Sequence, residues 1–268
     1  MEKITLNLEL LQSMVHTEET SSNIANIYRE TILKNGKIHK IPAYHGNALR
    51  GLMRNLAFEN LVTQLGIEPA TVPQSIFYIL TSWGFLDGSV VWIDIVARRT
   101  LRTIMPMLSI LGSAMGNEML QWKLIVSSLF PKCKELGTGE LSYWDMTSII
   151  RYTRVDDKKL LGWEKWARAE WMVDKEAPMQ MLYDIEVLNA GVELDATFYL
   201  QDFTEVERSC FFTILEEFSK KPFIGWKSSA GHWQVNILNK IDFEKETKAY
   251  KEFLENHKDE IMDFIFIA

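Results

Sequence analysis

The sequence predicts an α+β fold of βαββαβ order, an antiparallel sheet carrying two helices on one face. Three observations carry this reading. Residues 3–11 alternate, with Ile4, Leu6, Leu8 and Leu10 falling on one side of a strand. Leu49, Leu52, Met53 and Leu56 recur at helical spacing. Thr204-Glu205-Val206-Glu207 is a capping box that opens a second amphipathic segment.

The remaining elements follow in order. Residues 14–40 are polar and read as a loop with a short hairpin at Asn35-Gly36. Pro42 and Gly46 punctuate the approach to a helix over 47–65, and 66–100 is a mixed insertion. Strand-like runs fall near 90–96 and 123–130, and 106–120 reads as a short helix followed by a glycine turn. A strand is expected at 149–155, then a Trp-rich polar segment at 156–178. Residues 180–200 read as two strands about a turn at Asn189-Ala190-Gly191. Val206, Cys210, Phe211, Ile214, Leu215 and Phe218 form the apolar stripe of the capped helix. A glycine turn and a strand occupy 223–238, and a C-terminal helix spans 242–257. The chain is read as one domain over 1–268. Its sheet is expected to leave the face away from the helices open to a ligand.

Composition bounds the function. Apolar residues make up 47% of the 268, enough for a sizeable core. There is no long uncharged apolar run and no signal-peptide layout, so no membrane partner and a cytoplasmic location are expected. Cys133 and Cys210 have neither disulfide nor metal spacing, which suits a reducing compartment. The net charge of −7 argues against a nucleic-acid binder, but the charge is unevenly placed. Residues 27–54 hold Arg29, Lys34, Lys37, Lys40, Arg50 and Arg54 against Glu30 alone, a balance of 6 − 1 = +5. Residues 242–263 hold eight acids and four lysines, a balance of 4 − 8 = −4.

Two segments carry candidate chemistry. In Ile41 through Arg54, Gly46 permits close backbone approach and the helix start offers N–H groups and a positive dipole end. Arg50 and Arg54 stand one turn apart, so this is a phosphate site or an ordinary amphipathic helix with two exposed arginines. In Phe223 through Val235, a glycine-bounded turn with Lys227, Ser228 and Ser229 has donors for phosphate oxygens, and reads equally as a plain helix-to-strand turn. His45 and His232 have imidazoles able to bond a phosphate or a 2′-hydroxyl. The five histidines show no metal-ligand spacing, and no Walker loop, nucleophile elbow or dinucleotide fingerprint occurs, so no cofactor is expected.

Taken together, the two segments resemble the RAMP superfamily of CRISPR proteins, in which an "IP-x-x-x-G-x-x-R-G" run opens the first helix and a glycine-rich loop precedes the last strand. More closely, the chain resembles the Cascade backbone ("Cas seven") family and its type IV members. His16-Thr17, Arg29-Glu30, Gly46 to Gly51, Leu111 to Ala114, Lys123 to Val126 and the stretch from Gln180 to Gly191 fall in matching order. The resemblance implies a palm built on the βαββαβ core, with a β-hairpin thumb at 156–178. Trp163 and Trp166 would lie in the thumb, with Met179 and Gln180 at its return.

It further implies a crRNA-binding subunit that joins copies of itself in a helical filament, beside other CRISPR effector subunits, and meets target nucleic acid through the crRNA. Sequence reading is then left to base pairing. His16, Arg29, His45, Gly46, Asn47, Arg50, Arg54, Lys227, Ser228 and Ser229 would contact the RNA. Relatives that cut RNA carry an aspartate where this chain has Asn26 or Ile27, so no catalytic residue and no enzyme activity are expected. Glu30 is expected to pair with Arg29. Trp122, Trp226 and Trp233 stand where relatives usually have glycine, to stack on RNA or to fill the core. Two alternatives stay open: a diverged or virus-encoded homologue that inhibits effector assembly, and a metal-dependent target-RNA endonuclease using Glu30.

Overall fold

The structure is a computed structural model that describes residues 1–18, 24–85, 95–115, 118–154, 181–224 and 232–267. Its central sheet is built from β1 (Glu2–Leu10), β8 (Leu124–Val126), β12 (Glu193–Leu200) and β13 (Val235–Ile237). These lie in the order β13-β1-β12-β8, with the short β9 (Phe130–Pro131) also on β12. Numbered within the βαββαβ unit, that order is fourth, first, third, second. Every pairing among them is antiparallel. The fold is α+β, as expected from the sequence.

Alternation along β1 and β12 decides which face is buried. Leu6, Leu8, Leu10, Ala196 and Phe198 point to one side and are buried. Helices α1 (Gly46–Leu65) and α5 (Glu205–Lys220) cover that side with Leu49, Met53, Leu215 and Phe218. Helix α1 ends on Gly66, whose φ of 71° is the left-handed cap that glycine adopts without strain. Helix α5 starts on the complete capping box, with Thr204 Oγ1 and the Glu207 carboxylate each accepting the other residue's backbone N–H. Two further helices, α6 (Phe243–Asn256) and α7 (Lys258–Ile267), follow β13. The hydroxyl of Ser209 accepts the Tyr250 N–H at 2.9 Å and ties α6 to α5.

Between α1 and β8 lie α2 (Gln74–Thr81), β5 (Gly84–Phe85), α3 (Ile95–Ile104), α4 (Pro106–Leu111), β6 (Ser113–Met115) and β7 (Glu118–Leu120). The strand expected near 90–96 differs here: residues 95 and 96 open α3, and the rest of that run lies outside the described residues. A helix is favoured because Leu101 and Ile104 recur at turn spacing along an otherwise basic segment. The expected short helix and glycine turn are present, with Gly112 at φ 74°.

Two hairpins flank the core. The first pairs β3 (Arg29–Lys34) with β4 (Lys37–Pro42) about Asn35-Gly36, both at positive φ (52° and 73°). It is longer than the sequence suggested, with Lys34 Nζ donating to the Leu136 carbonyl in the loop after β9. The second pairs β10 (Thr147–Arg154) with β11 (Met181–Leu188) in unbroken register, and the two-residue β2 (Ile24–Ala25) adds to it. The chain between these two strands holds the residues expected of a thumb. The thumb itself, with Trp163, Trp166, Met179 and Gln180, lies outside the described residues. No helix among the described residues is long and apolar enough to cross a membrane.

Candidate nucleic-acid interface

Both candidate segments sit at the end of the sheet where β1 finishes. After Leu10 the chain runs through Ser13 to His16, whose Nε2 accepts the His45 N–H at 3.3 Å. Tyr44, just before the start of α1, is bridged to Leu129 by paired backbone bonds of 3.0 and 2.9 Å. The second segment closes beside it. Ile224 N donates to Trp233 O at 2.9 Å, pinching together the two ends of the 225–231 loop. Trp233 N donates to Ser13 O, and Ser13 Oγ pairs with His232 Nδ1 at 2.8 Å.

An aromatic cluster joins the two. The Trp233 ring lies 5.6 Å from Tyr44 and 6.4 Å from His16, and His16 lies 4.7 Å from Tyr44 and 5.4 Å from Tyr28. Tyr28 reaches His45 at 5.7 Å. Burial and the neighbouring His45 imidazole hold His16 below the usual histidine range. Burial likewise pushes the Tyr44 hydroxyl well above the usual phenol value. Trp233 is a core residue at 1% exposure, yet its φ is 84°. Its backbone keeps the left-handed turn that glycine adopts freely, while its ring fills the space beneath. The place of Lys227, Ser228, Ser229 and Trp226 within the loop lies outside the described residues.

The start of α1 departs from expectation. His45 Nδ1 accepts the Asn47 N–H at 3.0 Å, and Gly46 N–H donates to Ser128 Oγ at 3.4 Å. Ala48 and Leu49 N–H groups go to the His45 carbonyl. The donors that a helix start usually leaves open are therefore taken inside the chain. Gly46 does serve a close approach, but to protein: a side chain there would overlap the Val126 carbonyl. Asn47 remains exposed.

Neither arginine of α1 is an exposed surface cation. Arg54 is wholly buried, donating Nη1 to Gly112 O (2.8 Å) and Nη2 to Leu111 O (2.9 Å). It caps the C-terminal carbonyls of α4, where a cation is favoured, and contact with a phosphate is corrected to a structural role. Burial, with Arg50 adjacent, lowers it to about 10. Arg50 is 5% exposed and differently placed. One weak bond, 3.4 Å, runs from Nη2 to Leu124 O, and among the described residues its Nε has no partner. Its guanidinium lies 4.9 Å from the Trp122 ring and 5.6 Å from Trp83. Among the described residues no carboxylate forms an ion pair with Arg50. Trp83, also 5.2 Å from Arg54 and at φ 70°, escaped the sequence reading because no spacing rule links it to residue 50.

Arg29 is not free either. It forms a bidentate pair with Glu186 on β11, with Nη1 at 2.7 Å from Oε2, and its guanidinium faces Trp144 at 5.8 Å. The expected pairing with Glu30 is corrected. Glu30 instead accepts from Ser128 and Tyr28. Adjacent residues of a strand point to opposite faces, so 29 and 30 cannot share one partner set.

The open face of the sheet has the wrong charge for a phosphate chain. Glu9, Glu193 and Asp195 point there against Lys3, and Lys132 is already held by Glu193 (2.8 Å) and Asp195 (3.6 Å).

No family model matches the chain. No curated protein matches it by sequence. Among solved structures, the chain shares its fold with a chain of a "Type IV-B CRISPR Complex", at a TM-score of 0.64 and 19% identity over 90% of this chain and 91% of that one.

Proposed function

We propose that the protein is a subunit of a Cascade-like CRISPR effector that holds a crRNA by its backbone and cuts nothing itself. One observation carries the reading. The start of α1 and the base of the glycine-bounded loop, 189 residues apart between Tyr44 and Trp233, are neighbours in space. The segment between Ile224 and Trp233, which holds Lys227, Ser228 and Ser229, starts and ends at this corner. The shared fold with a chain of a type IV-B complex supports the same assignment.

In this reading Lys227, Ser228 and Ser229 meet phosphates directly, as do His45 and Asn47. Arg50, buried on tryptophan faces without a carboxylate, supplies positive potential to that side. Gly46, Arg54 and Arg29 shape the corner without touching RNA. In the same reading Glu30, which accepts from Ser128 and Tyr28, serves as a structural acceptor.

The test is RNA binding as a function of salt. Lys227→Ala with Ser229→Ala should weaken binding to a single strand and shrink the log–log salt slope by about 0.7 for the lost phosphate contact. An unchanged affinity and slope would overturn the assignment of this loop.

A further inference from the structure

Trp122 is 39% exposed, yet its ring is fixed by its neighbours. The Arg50 guanidinium lies over the indole, 4.9 Å from its centroid, and Trp83 meets it edge-on at 5.6 Å. Gly112 leaves the room for this arrangement, because a side chain there would crowd the Trp122 nitrogen and Cβ. An aromatic ring that is held in place and still open to solvent has lost its freedom before any ligand arrives. It serves as a platform for a second planar group rather than as core packing.

Uncancelled cations stand around it. Helix α3 holds Arg98, Arg99 and Arg102, with no acid over residues 95–104. Arg102 Nη2 donates to the Gln121 carbonyl at 3.0 Å, which ties the last turn of α3 to the residue before Trp122. Arg99 is exposed one turn earlier on the same side of the helix. Arg50 has one 3.4 Å bond to a carbonyl and, among the described residues, no carboxylate partner. The Glu207 carboxylate, which would oppose an anion here, is held by Lys123 at 2.7 and 2.8 Å. A stacking ring beside arginines matches a nucleotide strand, whose bases all have a π-face and whose phosphates accept from guanidinium.

We infer that Trp122, Arg99 and Arg102 form a second contact for single-stranded RNA, with one base on the indole and the flanking phosphates on the two arginines of α3. Arg50 and Trp83 are positioning residues that hold the ring. Arg50 follows His45 by five residues, about 7.5 Å along α1, so one strand spans both places. The inference deepens the proposed function by naming where the strand goes beyond the corner at His45, and it rests on that reading for the identity of the strand.

Binding of a labelled single-stranded oligoadenylate to the full chain, read by fluorescence anisotropy over a salt series, tests it. Trp122→Ala should weaken binding about five- to a hundredfold and leave the salt slope unchanged, because a stacked base and no charge is lost. Trp122→Phe should retain most of the affinity. Should Trp122→Ala fail to fold, Trp122→Leu fills the space without stacking and carries the same expectation. Arg99→Gln with Arg102→Gln should shrink the log–log slope by about 1.4, for two phosphate contacts on a single strand. Full affinity without the indole, or an unchanged slope without the two arginines, would overturn the contact. Poly-L-glutamate bound as tightly as the RNA would mark an acidic protein surface and overturn it too. The loop pair Lys227→Ala with Ser229→Ala is measured alongside. If that pair binds as wild type while the Trp122 and arginine variants lose RNA, the loop assignment falls and this contact stands. The opposite pattern removes this contact and leaves the loop assignment in place.

Discussion

The indole of Trp233 stands edge-on to the ring of Tyr44, 5.6 Å away at 70°. This contact locks the base of the 225–231 loop against the residue that precedes the first helix. It holds a tryptophan at a backbone angle, φ 84°, that ordinarily belongs to glycine.

Two opposing terms meet at that position, and they separate by substitution. Trp233→Ala loses the buried ring, roughly 3–5 kcal/mol, and keeps the left-handed strain. Trp233→Gly loses the same ring and sheds the strain. Urea denaturation should therefore rank Trp233→Gly above Trp233→Ala by about 1 kcal/mol, with both well below wild type. The reverse order would mean that the backbone there is not strained.

Arg54 and Arg50 should behave differently despite their matched spacing. Arg54→Ala strips donors from two buried carbonyls at roughly 1–3 kcal/mol each and opens a cavity, so a large loss of thermal stability is expected. Arg54→Lys should recover only part, since an ammonium lacks the planar fork. Arg50→Ala should cost less stability and act mainly on RNA affinity.

The Arg29–Glu186 pair links the first hairpin to β11 of the second. A double-mutant cycle with Arg29→Met and Glu186→Gln should give a coupling energy of about 1–3 kcal/mol from chemical denaturation. A coupling near zero would show that the two elements are held by packing alone.

Acid should loosen the aromatic corner. The folded pKa of His16 lies below its ordinary 6.5, so the unfolded chain takes up the proton first. Its contribution to stability is full above pH 6.5 and is lost as pH falls below that value toward the folded pKa. The melting temperature of wild type should drop more between pH 7.5 and 5.0 than that of His16→Phe. Equal drops would place His16 outside the buried cluster.

The Cys210 thiol, pushed up to about 12 by burial in α5, should be inert. Native protein at pH 8 should show no labelling of Cys210 by a thiol reagent, and full labelling in denaturant. Rapid native labelling would mean that α5 opens locally.

By itself the sequence determined the elements of the βαββαβ core and their order, because alternation, turn chemistry and caps are local, while it misread the start of α3 as a strand. The strand at Leu6 and Leu8, the helix on Leu49 and Met53, the Asn35-Gly36 hairpin and the Thr204 box are all legible from neighbours a few residues apart. Only the tertiary structure decided the fate of the charges. Helical spacing cannot say that Arg54 turns inward to the Leu111 and Gly112 carbonyls, that Arg29 chooses Glu186 over Glu30, or that Ser128 reaches Gly46. Those partners are 57 to 157 residues apart, and a long side chain's partner is set by which elements the fold brings alongside it.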